Sequence, residues 1–164
     1  MESCTFTPLS PADGKEVIDL FNYYIEHSFA AYPEQKVPYQ FFEVFRQACT
    51  GYPSVVARTA AGSLAGFGLL RPYSPMPTFC HTAEITYFIR PELTGKGLGS
   101  RMLDHLQKKA EEQGITTILA SISSLNEGSI RFHERHGFVE CGRFLKVAEK
   151  KGFVFDTVWM QIFL

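Results

Sequence analysis

The sequence predicts an α/β fold built on a mixed sheet. Three observations predict it. Apolar runs of strand length, such as Leu64 to Leu70 and Thr116 to Ser121, are interleaved with segments whose apolar residues recur at helical spacing. The run Glu84 to Arg90 passes through a short turn into Gly95-Lys96-Gly97-Leu98-Gly99-Ser100, a glycine loop that opens directly into a helix. At 164 residues, 45% hydrophobic and with 15 Phe, the chain can bury one substantial core, so a single domain over residues 1–164 is expected.

The elements follow in order. Phe6 to Leu9 reads as a first strand. Pro11-Ala12-Asp13 begins a helix with Val17, Ile18, Phe21, Tyr24, Ile25 and Phe29 on its apolar face. Pro38 starts a second helix that runs to about Cys49. Ser54 to Arg58 and Leu64 to Leu70 form a hairpin around Ala61-Gly62. Pro72, Pro75 and Pro77 make Arg71 to Phe79 a stiff loop. The central strand is Glu84 to Arg90. In the helix after the glycine loop, Leu98, Met102, Leu103, Leu106 and Ala110 share one face. A break at Gln113-Gly114 leads to a strand at Thr116 to Ser121 and a helix at Asn126 to His136. Two last strands span about Phe138 to Val147 and Phe153 to Ile162.

Composition excludes several classes. A net charge of −1 offers no broad basic surface for nucleic acid. No apolar run has membrane-spanning length, and the polar start is not a signal peptide, so a cytoplasmic protein with no membrane partner is expected. Cys4, Cys49, Cys80 and Cys141 are scattered, with neither metal-type spacing nor a disulfide framework, and no metal is expected.

The glycine loop points to phosphate. Its glycines let the backbone come close to a ligand. The N–H groups of a helix's first turn lack intrahelical partners, and the helix dipole adds partial positive charge. A P-loop is excluded because no G-x-x-x-x-G-K-[ST] window exists. A dinucleotide fingerprint is excluded by the glycine spacing and the mid-chain position. A glycine-rich connection that serves only the fold is the remaining alternative.

A second segment reduces that alternative. Asn126-Glu127-Gly128-Ser129-Ile130-Arg131-Phe132-His133-Glu134-Arg135-His136-Gly137-Phe138 follows the strand at Thr116. With the glycine loop, it resembles the two signatures of the GNAT superfamily of N-acetyltransferases. Asn22-Tyr23-Tyr24-Ile25, Thr82-Ala83-Glu84, Lys150-Lys151-Gly152-Phe153-Val154-Phe155-Asp156 and Trp159-Met160-Gln161 narrow the resemblance to the phosphinothricin and amino-acid N-acetyltransferase group. The resemblance spans nearly the whole chain. It implies a mostly antiparallel mixed sheet flanked by helices, acetyl-CoA as co-substrate, a small-molecule amine as acceptor, and a homodimer.

The resemblance also implies roles. The Gly95-to-Ser100 backbone, including Lys96, Gly97, Leu98 and Gly99, would hold the pyrophosphate. The main chain of Tyr87, Phe88 and Ile89 would pair with the pantetheine arm, and Asn126 would hydrogen-bond it. Lys96 and Arg101 are cations that either meet phosphates or are solvated. Thr94 departs from relatives that carry Gln or Arg there and so lacks a long polar arm.

Acyl transfer to an amine needs a base and an acid. An amine with a pKa of about 8 to 10 is mostly protonated at neutral pH, so a nearby carboxylate must take its proton. Glu84 matches the group's proposed base; an ordinary salt-bridge acid is the alternative. His133 stands where the wider superfamily often has Tyr, and an imidazole can donate to a leaving thiolate. Asn126, Ile130 and His133 share one helix face, with Asn126 and His133 about 10 Å apart along the axis. A His packed on the sheet is the alternative. His136, beside Gly137, reads as a helix C-terminal cap, and His81 as a candidate border of the amine pocket.

For the acceptor, Arg71 is the candidate clamp for a carboxylate. Phe29, Tyr32, Tyr73 and Phe79 are candidate walls, each also able to serve the core. The segment Tyr73 to Thr78 is longer than usual for the group, and Cys80 stands where some relatives have Arg. Three functions follow. They are acetyl transfer to a small amino acid-like acceptor such as phosphinothricin or methionine sulfone, acetyl transfer to a polyamine, peptide or antibiotic amine, and acyl-CoA sensing without turnover.

Overall fold

The computed structural model describes residues 4–164. Seven strands form one sheet in the order β1-β2-β3-β4-β5-β7-β6. They are β1 (Thr5–Thr7), β2 (Ser54–Arg58), β3 (Leu64–Pro72), β4 (Thr82–Ile89), β5 (Thr117–Ser123), β6 (Val139–Lys150) and β7 (Phe153–Phe163). Among the described residues only β4 and β5 pair in parallel, and that pairing spans just Thr82↔Thr117, Ala83↔Ile118 and Glu84↔Leu119. Beyond Glu84 the two strands part.

Four α-helices cover the two faces: α1 (Gly14–His27), α2 (Phe42–Ala48), α3 (Leu98–Glu112) and α4 (Glu127–Arg135). Strand residues alternate between faces. Ala83, Ile85, Ile118, Ala120 and Ile122 pack with Leu98, Met102, Leu103, Leu106 and Ala110 of α3. Phe67, Leu69 and Phe88 pack with Val17, Ile18, Phe21 and Ile25 of α1 and with Phe42 and Phe45 of α2.

The element boundaries shift where local chemistry competes. The first helix turn at Pro11–Asp13 is 3₁₀, closed by a capping box between Ser10 and Asp13. Helix α1 stops at His27: Ser28 turns to extended backbone, and its hydroxyl donates to the Tyr24 carbonyl and accepts the Ala30 N–H. Phe29 therefore leaves the helix face predicted for it. The second helix begins as a 3₁₀ turn at Tyr39–Phe41. Strand β3 runs on through Arg71 to Pro72, where a loop was expected. Pro72 is tolerated because β2 pairs with β3 only up to Leu69, leaving that flank uncovered.

A partly buried ion cluster anchors α1 to the sheet. Arg58 on β2 donates to Asp13 at 2.6 Å and to Glu16 at 2.8 Å, and Glu16 also accepts the Leu64 N–H. Burial opposes ionisation of Asp13 and Glu16. The Arg58 guanidinium, with Ser10 at Asp13 and the Leu64 N–H at Glu16, outweighs it and holds both carboxyls below their usual range. Lowered folded-state values mean stability present above about pH 4 and lost as the pH falls further. Arg58→Met should cost about 1–3 kcal/mol in denaturant unfolding at pH 7, because it leaves the buried Asp13 carboxylate without its guanidinium while Glu16 stays partly in water. The variant should also lose much of the wild type's acid-induced drop in stability below pH 4.

Candidate active site

The parting of β4 and β5 opens the sheet. From Ile85 to Ile89, the β4 edge facing β5 has no strand partner. The Ile89 carbonyl accepts the Tyr24 hydroxyl at 2.6 Å; the other backbone N–H and C=O groups of that edge call for a ligand or water. A cleft of about 530 Å³ lies along it. Tyr87, Phe88 and Ile89 form one wall, Gly95, Gly97, Gly99 and Ser100 the floor, and Asn126, Gly128, Ser129 and Phe132 of the α4 region the other wall. Tyr24, Ser28 and Ala30 close the side nearest α1.

The glycines have separate reasons. Gly95 and Gly97 take φ of +70° and +82°, with open space where a Cβ would stand. Gly97 is also the left-handed N-cap of α3, so no side chain caps that terminus and its first N–H groups remain available. Gly99 is needed for packing: a Cβ there would meet Ile89 at 3.2 Å and Phe132 at 3.3 Å. This is a built anion cradle, and it fits the pyrophosphate of acetyl-CoA.

Most predicted carrier-binding residues line the cleft, with two exceptions. The Leu98 side chain is buried in the α3 core, so only its backbone belongs to the loop. Lys96 is exposed and does not line the cleft. Arg101 turns away to the Cys4 carbonyl at 3.1 Å and over the Phe6 ring. The cation at the cleft is Arg135, which the sequence reading missed. It sits at the end of α4, seven residues past the glycine that follows Asn126 and Glu127, a distance only the folded helix spans. The Thr94 hydroxyl is spent on the Pro91 carbonyl at 2.7 Å. The Asn126 Oδ1 accepts the Ser129 N–H at 3.3 Å, capping α4 and leaving its Nδ2 donor for a ligand.

His133 is buried rather than displayed. Its Nδ1 lies 2.8 Å from the Ser129 carbonyl, which can only accept, so Nδ1 carries the proton. Its Nε2 then accepts from the Tyr87 hydroxyl at 2.8 Å. Burial pushes the His133 pKa down to about 4, against the opposing pull of the bond to Ser129. At neutral pH the imidazole has no spare proton at Nε2. The helical period puts His133 on the predicted face, and tertiary packing turns that face inward. His136 does cap α4: its Nδ1 bonds the Phe132 carbonyl at 2.7 Å, and its Nε2 holds the Ser100 hydroxyl at 2.8 Å, tying α4 to the start of α3.

Glu84 and Arg71 lie on the opposite face of the sheet from Tyr87. Register places them side by side, since Arg71 on β3 pairs with Glu84 on β4. The Arg71 Nη2 donates to the Glu84 carboxylate at 2.5 Å, and its Nη1 to Thr86 at 3.2 Å. The Glu84 side chain is 15% exposed and that of Arg71 36%. Of the five guanidinium N–H donors, two are engaged and the rest remain for a ligand.

The predicted acceptor walls fall into two groups. Tyr73 packs edge-on against Phe79 and also against Trp159, a residue the sequence reading gave no acceptor role. Tyr32 stacks on Phe155 and meets the Ser121 hydroxyl at 3.4 Å. Ser121 pairs with Trp159 across β5 and β7, so the two groups lie near one register line. Phe29 packs on Phe153 and Phe155 behind Tyr32. His81 is exposed and bonds the Gly114 carbonyl at the α3–β5 turn. Among the described residues no cluster of His, Cys, Asp or Glu could hold a metal ion, and no helix is long and apolar enough to cross a membrane.

A sheet that splits beside a glycine cradle defines a class, and comparison with known proteins agrees. Residues 17–138 match the model of the acetyltransferase (GNAT) family, and the chain belongs to that family. It is 36% identical over 116 residues to the L-methionine sulfoximine/L-methionine sulfone acetyltransferase of Pseudomonas aeruginosa, covering 71% of this chain and 67% of that protein. It is 30% identical over 155 residues to the phosphinothricin N-acetyltransferase of Streptomyces viridochromogenes, covering 94% and 84%. Among solved structures, the YncA protein of Salmonella typhimurium, determined with its cofactor acetyl-CoA, superposes with a TM-score of 0.89 at 27% identity, covering 98% and 94%.

Three outcomes follow. Gly97→Ala forces a side chain into left-handed backbone at a cost of about 1–2 kcal/mol, so acetyl-CoA should bind roughly tenfold more weakly by calorimetry. The His133 ring resonances should titrate near pH 4 and stay flat between pH 6 and 7 in an NMR titration. Because its pKa is lowered on folding, this residue should make the protein less stable as the pH falls from about 6.5 to about 4.

Proposed function

We propose that this acetyltransferase moves the acetyl group of acetyl-CoA to the amine of a small amino acid-like acceptor that carries both an ammonium and a carboxylate. The observation that carries this reading is the Arg71–Glu84 pair, a cation and an anion held side by side at the opening of the sheet. It matches the two charges of a zwitterion. The relatives support it through their named acceptors, which are amino acid analogues.

The roles follow from placement. Arg71 offers its remaining N–H donors to the acceptor carboxylate. Glu84 draws the ammonium beside it and accepts its proton, which frees the nitrogen lone pair. Acetyl-CoA, when bound, would supply a thioester whose carbonyl carbon bonds the nitrogen while the C–S bond breaks, its electron pair leaving on sulfur and the nitrogen's second proton passing to that sulfur to give the thiol. The open β4 edge from Ile85 to Ile89 would hold the pantetheine arm as an added strand, with Asn126 Nδ2 as a further donor. The cradle at Gly95, Gly97 and Gly99 would hold the pyrophosphate, and Arg135 adds positive charge. In this reading His133 orients the Tyr87 hydroxyl at the cleft wall, in place of the proton-donating role the sequence suggested. Tyr32, Tyr73, Phe79 and Trp159 shape the space around the acceptor's side chain, and Phe29 backs Tyr32.

A homodimer in the cytoplasm belongs to the same proposal. Strand β6 is a sheet edge and exposes Val139, Phe144, Leu145 and Val147, with Phe153 and Val154 beside it on β7. Such an edge favours a second subunit. The free thiols of the four cysteines suit a reducing compartment. Light scattering at micromolar concentration should give twice the chain mass; a monomer would remove the dimer from the account.

Glu84→Gln should lower kcat at least a hundredfold while acetyl-CoA affinity stays within twofold. Arg71→Met should raise the acceptor KM about ten- to a hundredfold, the loss of a charge-assisted contact, with the acetyl-CoA KM unchanged. Stopped assays of thiol release against methionine sulfone check both. Wild-type acetyl-CoA binding without thiol release on any amine would replace this reading with a sensor.

A further inference from the structure

We infer that Lys150 is a positioning residue that fixes the segment Ser28 to Tyr32 against both halves of the site; this rests on the acetyltransferase reading given above. Lys150 is fully buried, and among the described residues no carboxylate bonds its ammonium; burial works against its charged form, and the nearby Glu34 carboxylate favours it. A buried ammonium with no carboxylate in direct contact is costly, so the site must hold it by hydrogen bonds. Its Nζ donates to the Ser28 carbonyl at 2.9 Å and the Ala31 carbonyl at 2.6 Å. These carbonyls belong to a segment with no strand or helix partners, just past the C-terminus of α1, where positive charge also suits the helix dipole.

The hairpin tip is built to deliver it. Lys151 and Gly152 take φ of +51° and +77°, a two-residue turn of the kind that suits strand twist. Lys150 then points under the segment. The Lys151 N–H bonds Glu34 at 2.8 Å, and its Nζ bonds the Glu26 carbonyl. Phe153 and Phe155, just beyond the turn, pack on Phe29.

The clamped segment touches both subsites. Ser28 and Ala30 line the acyl-carrier cleft. Tyr32 stacks on Phe155 and meets Ser121 on the acceptor face. One buried cation, 122 residues away in sequence from Ser28, thus sets two walls at once. Its removal should move the affinities for both substrates and leave the reacting groups, Glu84 and the β4 edge, in place.

The test compares Lys150→Met, Lys150→Gln and the flanking Lys151→Met. Acetyl-CoA affinity comes from calorimetry, acceptor KM and kcat from thiol release, and segment order from hydrogen–deuterium exchange. Lys150→Met should weaken acetyl-CoA and raise the acceptor KM at least tenfold each, with kcat within threefold. Lys150→Gln, which keeps a donor, should fall between it and the wild type. Lys151→Met should change each by less than twofold. Amides 28–34 should exchange faster in Lys150→Met, with those of α3 and β5 unchanged. Unchanged affinities, or a fall in kcat with both affinities intact, would overturn the positioning role and leave a scaffold lysine. A wild type that binds no acetyl-CoA would instead overturn the reading of the cleft, while the exchange data still judge Lys150.

Discussion

The parallel ladder between β4 and β5 ends after three residue pairs, and the site depends on that ending. Had the ladder continued, every backbone group of β4 would be paired, and no extended ligand could lie beside it. Instead β5 stays with β7 over seven pairs, from Thr117↔Phe163 to Ser123↔Thr157, and leaves β4 with one open edge. The other edge of β4 is fully held by β3, from Gly66↔Ile89 to Pro72↔Ala83. The strand is thus rigid and half-unpaired at once. That combination gives a ligand directed donors and acceptors without the entropy loss of ordering a loop.

Strand alternation then divides the work. Tyr87 faces α4, where the neutral His133 accepts a hydrogen bond from its hydroxyl, and the cleft runs past it to the glycine cradle. Glu84 and Thr86 face the other way, beside Arg71, below the aromatic residues of β7 and the loop after β3. In the proposed reading, donor and acceptor therefore approach from opposite sides of one sheet and meet where it splits. The cores behind them are equally separate, with α3 behind one face and α1 and α2 behind the other. Mutations in one should disturb the other little, since distant sites without shared partners act independently.

The local parts of this arrangement were legible in the sequence, and the non-local parts were not. The α3 face at Leu98, Met102, Leu103, Leu106 and Ala110 followed from its period, and all five residues are buried. The cradle followed from glycine spacing at a helix start. Glu84 and Arg71 were each singled out, but their contact depends on the β3–β4 register, which no local pattern states. Ser121 and Trp159 reach the acceptor face through a pairing 38 residues apart. The helical period placed His133 with Asn126 and Ile130 on one face, yet nothing in that period says how deeply a face is buried. Lys150 was the least legible, because a lysine at a hairpin tip ordinarily belongs in water.

Comparing kcat/KM for an amino acid acceptor and for the same molecule without its carboxylate tests the central claim most directly. Methionine sulfone and its decarboxylated amine form such a pair. The account predicts a preference of at least a hundredfold for the amino acid in the wild type, collapsing to a few-fold in Arg71→Met. Equal rates on the two amines in the wild type would contradict it, leaving Arg71 as a partner for Glu84 alone.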